Sequence, residues 1–174
     1  MRKPLTILGG LSALGLALTG CGGQTTPQSA IIQQAASQQA VSFYPAHLNL
    51  GHANAVYFYK WNGGMQAAIL NRTSGRWTVL EAESIPEVAG CIKPQAIGMT
   101  NLHTISPANT YVVGRLEKGT AVASLTYTIS GYGFPAKILP SGFWVASLGH
   151  NFPNGNVAIK LVTQSHKHIA ACVF

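Results

Sequence analysis

The chain has 174 residues, enough for one compact domain with additional segments, and 47% of them are hydrophobic, which suffices for a core. Only 9% are charged, against a usual level of about 25%, aspartate is absent, and the formal net charge is +7. Beyond the N-terminus the basic residues are scattered singly. This distribution lacks the clusters of nucleic-acid-binding surfaces, so we expect no nucleic-acid partner.

The first twenty residues have the organisation of an export signal. Arg2 and Lys3 form a positive start, and Leu5 to Leu18 is uncharged and apolar. This apolar segment is shorter than the roughly 20 residues that a membrane-spanning helix needs. The next residues, Leu18-Thr19-Gly20-Cys21, resemble the lipobox of bacterial lipoproteins. The resemblance implies that residues 1–20 are a signal peptide and that lipid on Cys21 holds an extracytoplasmic protein to the cell membrane.

Residues 21–50 are predicted to form a polar tether. The stretch from Gly22 to Ala40 is uncharged and rich in Gln, Ser and Thr, which favours a flexible segment between the lipid and the domain. Ser29 is a residue type that caps helices, so a short helix after it is an open alternative.

Residues 51–106 are predicted to contain a three-stranded antiparallel meander and an irregular connection. Runs rich in β-branched and aromatic residues alternate with the turn signals Asn62-Gly63-Gly64 and Asn71 to Gly75. The runs are Val56 to Trp61, Met65 to Leu70 and Arg76 to Leu80. Three prolines in residues 84–108 then predict a long connection with little regular structure.

Residues 107–174 are predicted to form a β-sandwich. Six short apolar runs, separated by Gly and Pro turns, begin at Tyr111, Val122, Ala136, Phe143, Val157 and His168. The residues Val112-Val113-Gly114-Arg115, Gly119 and Gly142-Phe143-Trp144 resemble small immunoglobulin-like modules of Gram-positive envelope proteins, which implies a fold and no chemistry. The expected fold class is therefore mainly β, an antiparallel immunoglobulin-like sandwich preceded by a meander, with an N-terminal signal helix and a flexible linker.

The three cysteines divide into one lipid site and one pair. With Cys21 assigned to lipid, Cys91 and Cys172 remain, and an even pair in an oxidising compartment indicates a disulfide. Two buried free thiols are the alternative.

Histidines and glutamates are the candidates for catalysis or metal binding. Among six histidines the close pair is His166 and His168, which offers too few ligands for a metal site, and the others are His47, His52, His103 and His150. Glu81 and Glu83, with Glu87 nearby, form an acidic cluster or a solvated strand edge. No nucleophile, metal or phosphate-loop motif is present, so we expect no cofactor.

The leading hypothesis is a non-enzymatic binding or structural module of the envelope, with an envelope protein or glycan as partner. Aromatic residues are numerous, and Tyr132 and Phe134, in a predicted turn, are the candidates for an exposed contact patch. The alternative is a small extracytoplasmic hydrolase or metal-dependent enzyme that uses the His and Glu residues.

Overall fold

The computed structural model describes residues 23–35, 41–86, 96–105, 108–116, 121–149, 157–163 and 168–173, and for residues 96–98, 163 and 168–173 it describes the backbone alone. The expected signal peptide, residues 1–20, and the expected lipid site Cys21 therefore lie outside the described residues. The described residues form helix α1 (Pro27–Ala35) and strands β1 (Ser42–Gly51), β2 (Asn54–Trp61), β3 (Gly64–Thr73), β4 (Arg76–Ser84), β5 (Ala96–Ile105), β6 (Ala108–Leu116), β7 (Val122–Ile129), β8 (Tyr132–Ile138), β9 (Phe143–Gly149), β10 (Val157–Thr163) and β11 (His168–Val173).

The strands form two antiparallel sheets. Strands β1 to β4 pair in chain order, so the predicted meander is present as β2–β3–β4, with β1 added beside β2. The remaining strands form a seven-stranded sheet in the order β11-β10-β7-β8-β9-β6-β5. The prediction of a mainly β, antiparallel sandwich is confirmed.

Four hairpins close through two-residue turns in which both central residues have positive φ. This geometry matches the right-handed twist of the flanking strands. Three of the turns end in glycine, which adopts positive φ without a Cβ clash: Asn62-Gly63, Ser74-Gly75 and Ser130-Gly131. The β1–β2 turn has no glycine at its centre, and Ala53 adopts φ 60° there.

The main core lies between the two sheets. Val56, Phe58 and Ile69 of the four-stranded sheet pack against Val113 and Phe143 of the seven-stranded sheet. The Phe58 and Phe143 rings stack at 4.2 Å between centroids. The meander is therefore one layer of the sandwich and does not precede it as a separate unit.

A second core lies on the other face of the seven-stranded sheet. Val112, Trp144 and Ala146 point away from the first core and cluster with residues of β7 and β10 such as Tyr127 and Ile159. A flat sheet of seven strands at about 4.8 Å spacing would hold its edges too far apart for such mutual contacts. The sheet therefore curls around this cluster, and β6 and β9 are buried on both faces.

Helix α1 covers the outer face of the four-stranded sheet. Ala30 and Ile31 pack on a cluster that includes Tyr59, Ala68 and Leu70. Thr26 caps the helix, since its hydroxyl accepts a hydrogen bond from the Ser29 backbone N–H at 3.1 Å. The helix left open by the sequence is present, but it is capped by Thr26, three residues before the expected Ser29.

Two segments differ from the sequence expectations. Residues 21–50 were expected to be a tether, yet α1 packs on the sheet and Ser42–Gly51 is an edge strand. Residues 84–108 were expected to be irregular, yet Ala96–Ile105 is a strand of ten residues. The sandwich was expected within residues 107–174 alone. Instead, β6 to β11 all belong to one sheet, and the four-stranded sheet supplies the other layer of the sandwich.

Candidate functional site

Gly23 and Gln24 are held on the domain. Gln24 forms an isolated antiparallel bridge with Trp77 of β4. The Gln24 N–H donates to the Trp77 carbonyl at 2.8 Å, and the Trp77 N–H donates to the Gln24 carbonyl at 2.6 Å. A Cβ on Gly23 would lie 2.8 Å from the Trp77 carbonyl oxygen, so this close approach requires glycine.

The predicted disulfide falls largely outside the described residues. Cys91 is not among them, and for Cys172 only the backbone is described. That backbone pairs with Ile159 of β10, which places Cys172 on an edge strand of the seven-stranded sheet. The pairing of the two cysteines stays a prediction.

One His–Glu pair forms between the two sheets. His103 on β5 and Glu81 on β4 belong to edge strands, and His103 Nδ1 lies 3.0 Å from Glu81 Oε2. The carboxylate also accepts a hydrogen bond from the His103 backbone N–H. A β-bulge at this point of β4 places both Leu80 and Glu81 on the side of the sheet that faces β5. The contact therefore joins the two layers at their edge.

The other histidines and glutamates are not gathered around this pair. His47 stacks on Tyr57 with ring centroids 5.1 Å apart, and Glu83 is exposed. Within the described residues no three His, Cys, Asp or Glu side chains come close enough to hold a metal ion. The remaining candidates lie outside the described side chains: Glu87, His150, His166 and His168.

Of the two residues expected to form an aromatic contact patch, Tyr132 and Phe134, one is strongly exposed. Tyr132 is 65% exposed, but Phe134 packs against the core of the seven-stranded sheet. Phe58, Phe143 and Trp144 are fully buried. Aromatic residues serve mainly as core in the described part of the chain.

A groove, which we call the β1 groove, opens between β1 and the seven-stranded sheet. Its volume is about 440 Å³, within the range of small-ligand sites. Leu48 and Leu50 form one wall, because alternate residues of β1 point towards the other sheet. Strands β6, β8 and β9 supply the floor through Asn109, Tyr111, Pro135, Lys137, Val145 and Ser147.

The polar residues of the β1 groove are neutral or basic. Lys137 is exposed, and His52 occupies the β1–β2 turn. The Asn109 amide donates to the Ser147 hydroxyl at 3.0 Å, which orients both groups beside the apolar wall. None of the described residues that line the groove is a carboxylate. The arrangement can accept a polar ligand that carries negative charge.

A smaller pocket of about 160 Å³ lies between α1 and the four-stranded sheet. Its walls include Ile31 and Gln34 of the helix and Tyr59, Trp61 and Gln66 of the sheet. Burial raises the pKa of Tyr59, and the charge of Glu83 raises it further. The phenol is therefore neutral at physiological pH and gives no reactive anion here.

Arg115 is a cation between the sheets. Its guanidinium carbon lies 5.6 Å from the Phe143 ring centroid and 5.8 Å from that of Tyr44. Its Nε is buried without a hydrogen-bond partner among the described residues. The ring faces offset part of the cost of burying this charge, so its contacts are those of a packing residue.

The sequence did not indicate the groove. Of its residues, only His52 was a candidate, and then as a metal ligand. The groove depends on how β1 crosses the other sheet, and β1 itself was not predicted. Comparisons with protein-family models, curated proteins and solved structures found no significant match. No helix in the described ranges has the length and apolar character needed to cross a membrane.

Proposed function

We propose that the protein is a lipoprotein of the extracytoplasmic face of the cell membrane, anchored through Cys21. The support is in the sequence, where a basic start, an apolar segment and Leu18-Thr19-Gly20-Cys21 occur in the order typical of lipoproteins. Two acyl chains give the stable attachment that one chain does not.

Labelling with palmitate tests the anchor. The wild-type chain should incorporate label, fractionate with membranes and begin at Cys21 after processing, and Cys21→Ser should abolish all three. Cys91→Ser is the matched control and should keep the label. Unlabelled wild-type protein, or membrane fractionation that does not depend on Cys21, would refute the anchor.

We further propose that the β1 groove is the binding site of a non-enzymatic module and that its ligand is an anionic saccharide of the envelope. The observation that carries this proposal is the lining of the groove, which combines an apolar wall, hydrogen-bonded polar groups and Lys137, with no carboxylate among its described residues. Saccharides present apolar ring faces and many hydroxyls, and an acidic group on the sugar would complement Lys137.

A protein ligand that adds a strand to β1 is less well supported. Edge strands accept a partner strand when their backbone is regular and free. In β1, Pro45 lacks an N–H, and the register shifts between Phe43 and His47 and again between Asn49 and Gly51. These features leave a short regular edge.

Titration with a uronic-acid oligosaccharide tests the site, with a neutral glucose oligosaccharide of equal length as comparison. NMR should show shifts of the Asn109, Ser147 and Lys137 amides with the acidic ligand. Lys137→Gln should weaken binding by about 0.2–1 kcal/mol, the usual value of an exposed ion pair. Lys60→Gln removes an equally exposed charge outside the groove and should leave binding unchanged. Equal binding of both oligosaccharides would refute the charge argument.

The alternative, a hydrolase, has the Glu81–His103 pair in its favour. A carboxylate that orients an imidazole is part of many hydrolytic sites. This pair, however, joins two strand edges and lines neither the β1 groove nor the pocket beside α1. Binding is therefore the better supported function.

A disulfide between Cys91 and Cys172 completes the proposal. In the chain-entropy model, closing a loop of about 80 residues stabilises the fold by on the order of 4 kcal/mol. Mass spectrometry after alkylation without reductant should find both cysteines unmodified. Two alkylated thiols would reject the bond.

A further inference from the structure

The bridge between Gln24 and Trp77 places the start of the folded domain close to the lipid site. Gly23 is packed against β4, where an added Cβ would lie 2.8 Å from both the Trp77 carbonyl oxygen and Thr78 Oγ1. Cys21 precedes Gly23 by two residues, and two residues span at most about 7 Å. If Cys21 is acylated, the part of β4 near Trp77 lies within reach of the membrane surface.

This end of the four-stranded sheet is basic. Arg72 and Arg76 flank the β3–β4 turn and are both exposed. The Arg72 guanidinium lies 5.8 Å from the centre of the Trp77 ring, which is half-buried. Along β4 the first carboxylate is Glu81, five residues from Arg76 or about 17 Å of strand. Glu81 is moreover in contact with His103.

The neighbouring hairpins end at the same level. The Arg72 N–H donates to the Ala53 carbonyl at 2.8 Å, which joins the β3–β4 hairpin to the β1–β2 turn. His52 of that turn shares the β1 groove with Asn109, at the start of β6. We call Arg72, Arg76, Trp77 and His52 the hairpin end.

We propose that the hairpin end is a membrane-docking surface that rests on anionic phospholipid headgroups. The arginines complement the headgroup charge, and Trp77 is suited to the interface because its ring is apolar with one polar N–H. The span from Cys21 to Gly23, at most about 7 Å, is shorter than the Debye length of about 10 Å at 0.1 M salt, so headgroup charge is incompletely screened where the folded domain begins. The proposal rests on the lipid anchor and gives the domain a fixed orientation on the bilayer.

Tryptophan quenching by lipid tests the orientation. The full chain, purified with its anchor, is placed in vesicles of phosphatidylcholine and phosphatidylglycerol whose acyl chains carry bromine near the headgroup. Trp61→Phe retains Trp77, whereas Trp77→Phe retains Trp61, which ends β2 at the opposite end of the sheet. Both variants also retain Trp144, which is 0% exposed. Bromine should quench the Trp61→Phe variant strongly and the Trp77→Phe variant little.

Charge variants test the attraction. Arg72→Gln with Arg76→Gln should shift the docked-to-free equilibrium by about thirtyfold, since each basic residue near an anionic surface contributes about fivefold. Quenching of Trp77 should then fall to the level of Trp61. The matched control, Lys60→Gln with Lys160→Gln, removes two exposed charges elsewhere and should keep the wild-type quenching.

The outcomes separate docking from anchoring. Equal quenching of Trp61 and Trp77 in protein whose membrane attachment depends on Cys21 would overturn the docking surface alone. Attachment that does not depend on Cys21 would overturn the lipid anchor. Unchanged quenching in vesicles of phosphatidylcholine alone would overturn the headgroup charge as the source of docking.

Discussion

Replacing Gly23 by alanine should release the N-terminal segment from β4. The new Cβ would lie 2.8 Å from both the Trp77 carbonyl oxygen and Thr78 Oγ1, closer than such atoms approach in proteins. One of these contacts is backbone, so the bridge itself has to separate. Two backbone hydrogen bonds, at 2.8 and 2.6 Å, are then lost. At about 0.5–1.5 kcal/mol each, the variant should lose about 1–3 kcal/mol of unfolding free energy.

Hydrogen exchange and chemical denaturation measure the two parts of this prediction. The Gln24 and Trp77 amides should exchange faster in Gly23→Ala, and the denaturation midpoint should fall. Gly64→Ala is the matched control, because a Cβ there meets its nearest atoms at 3.6 and 3.7 Å, an ordinary contact. We expect that variant to keep wild-type stability within about 0.5 kcal/mol.

Retained exchange protection at Gln24 and Trp77 in Gly23→Ala would refute the steric argument. It would also remove the geometric basis for the short distance between Cys21 and the hairpin end. A loss of stability in Gly64→Ala as large as in Gly23→Ala would show that the loss does not come from the clash at Gly23, because replacing glycine by alanine restricts the unfolded chain and by itself stabilises the fold.

Three further predictions concern the turn, the helix and the buried phenols. Ala53→Gly should raise the unfolding free energy by about 0.5–1 kcal/mol, because relief of about 1–2 kcal/mol of left-handed strain exceeds the added entropy of the unfolded chain; a lower denaturation midpoint would contradict it. Ile31→Ala should cost about 2–3 kcal/mol in the same assay because Ile31 is 2% exposed, whereas Ile32→Ala, at a position 53% exposed, should change little; equal effects would argue against packing of α1. Burial raises the pKa of Tyr59 and Tyr127 above the ordinary value of 10.0. The part of the unfolding free energy that depends on neutral phenols is therefore fully present below that pH and is lost as pH rises through the folded pKa values. The unfolding free energy, measured between about pH 9 and pH 11, should fall with rising pH, and the fall should be smaller in Tyr59→Phe with Tyr127→Phe. The same slope of unfolding free energy against pH in the variant would count against phenol burial.

The meander was predictable because its signals are local. Asn62-Gly63 and Ser74-Gly75 are residues that adopt positive φ readily, and they separate runs of β-branched and aromatic residues. The β1–β2 hairpin gives no such signal, since His52-Ala53 is an unfavourable pair for the same turn. Its strand β1 was therefore missed, and with it the wall of the groove.

The candidate site depends on contacts between residues far apart in the chain. Leu48 and Lys137 meet only because β1 crosses β8 and β9, and a sequence pattern carries no information on that crossing. The Glu81–His103 contact is similar, because it depends on a bulge in β4 that turns Glu81 towards β5. The sequence therefore predicted strands bounded by local turn signals better than the surfaces at which the two layers meet.

The burial of β9 on both faces has a consequence before folding is complete. Phe143 to Leu148 reads Phe-Trp-Val-Ala-Ser-Leu, an uncharged run of strand-forming residues without proline. Such segments pair readily with copies of themselves when they are exposed. Neither face of β9 is protected until the four-stranded sheet covers one side and the seven-stranded sheet curls over the other. The strand that unites the two cores is thus also the segment through which unfolded chains would aggregate, and its protection depends on closure of both layers.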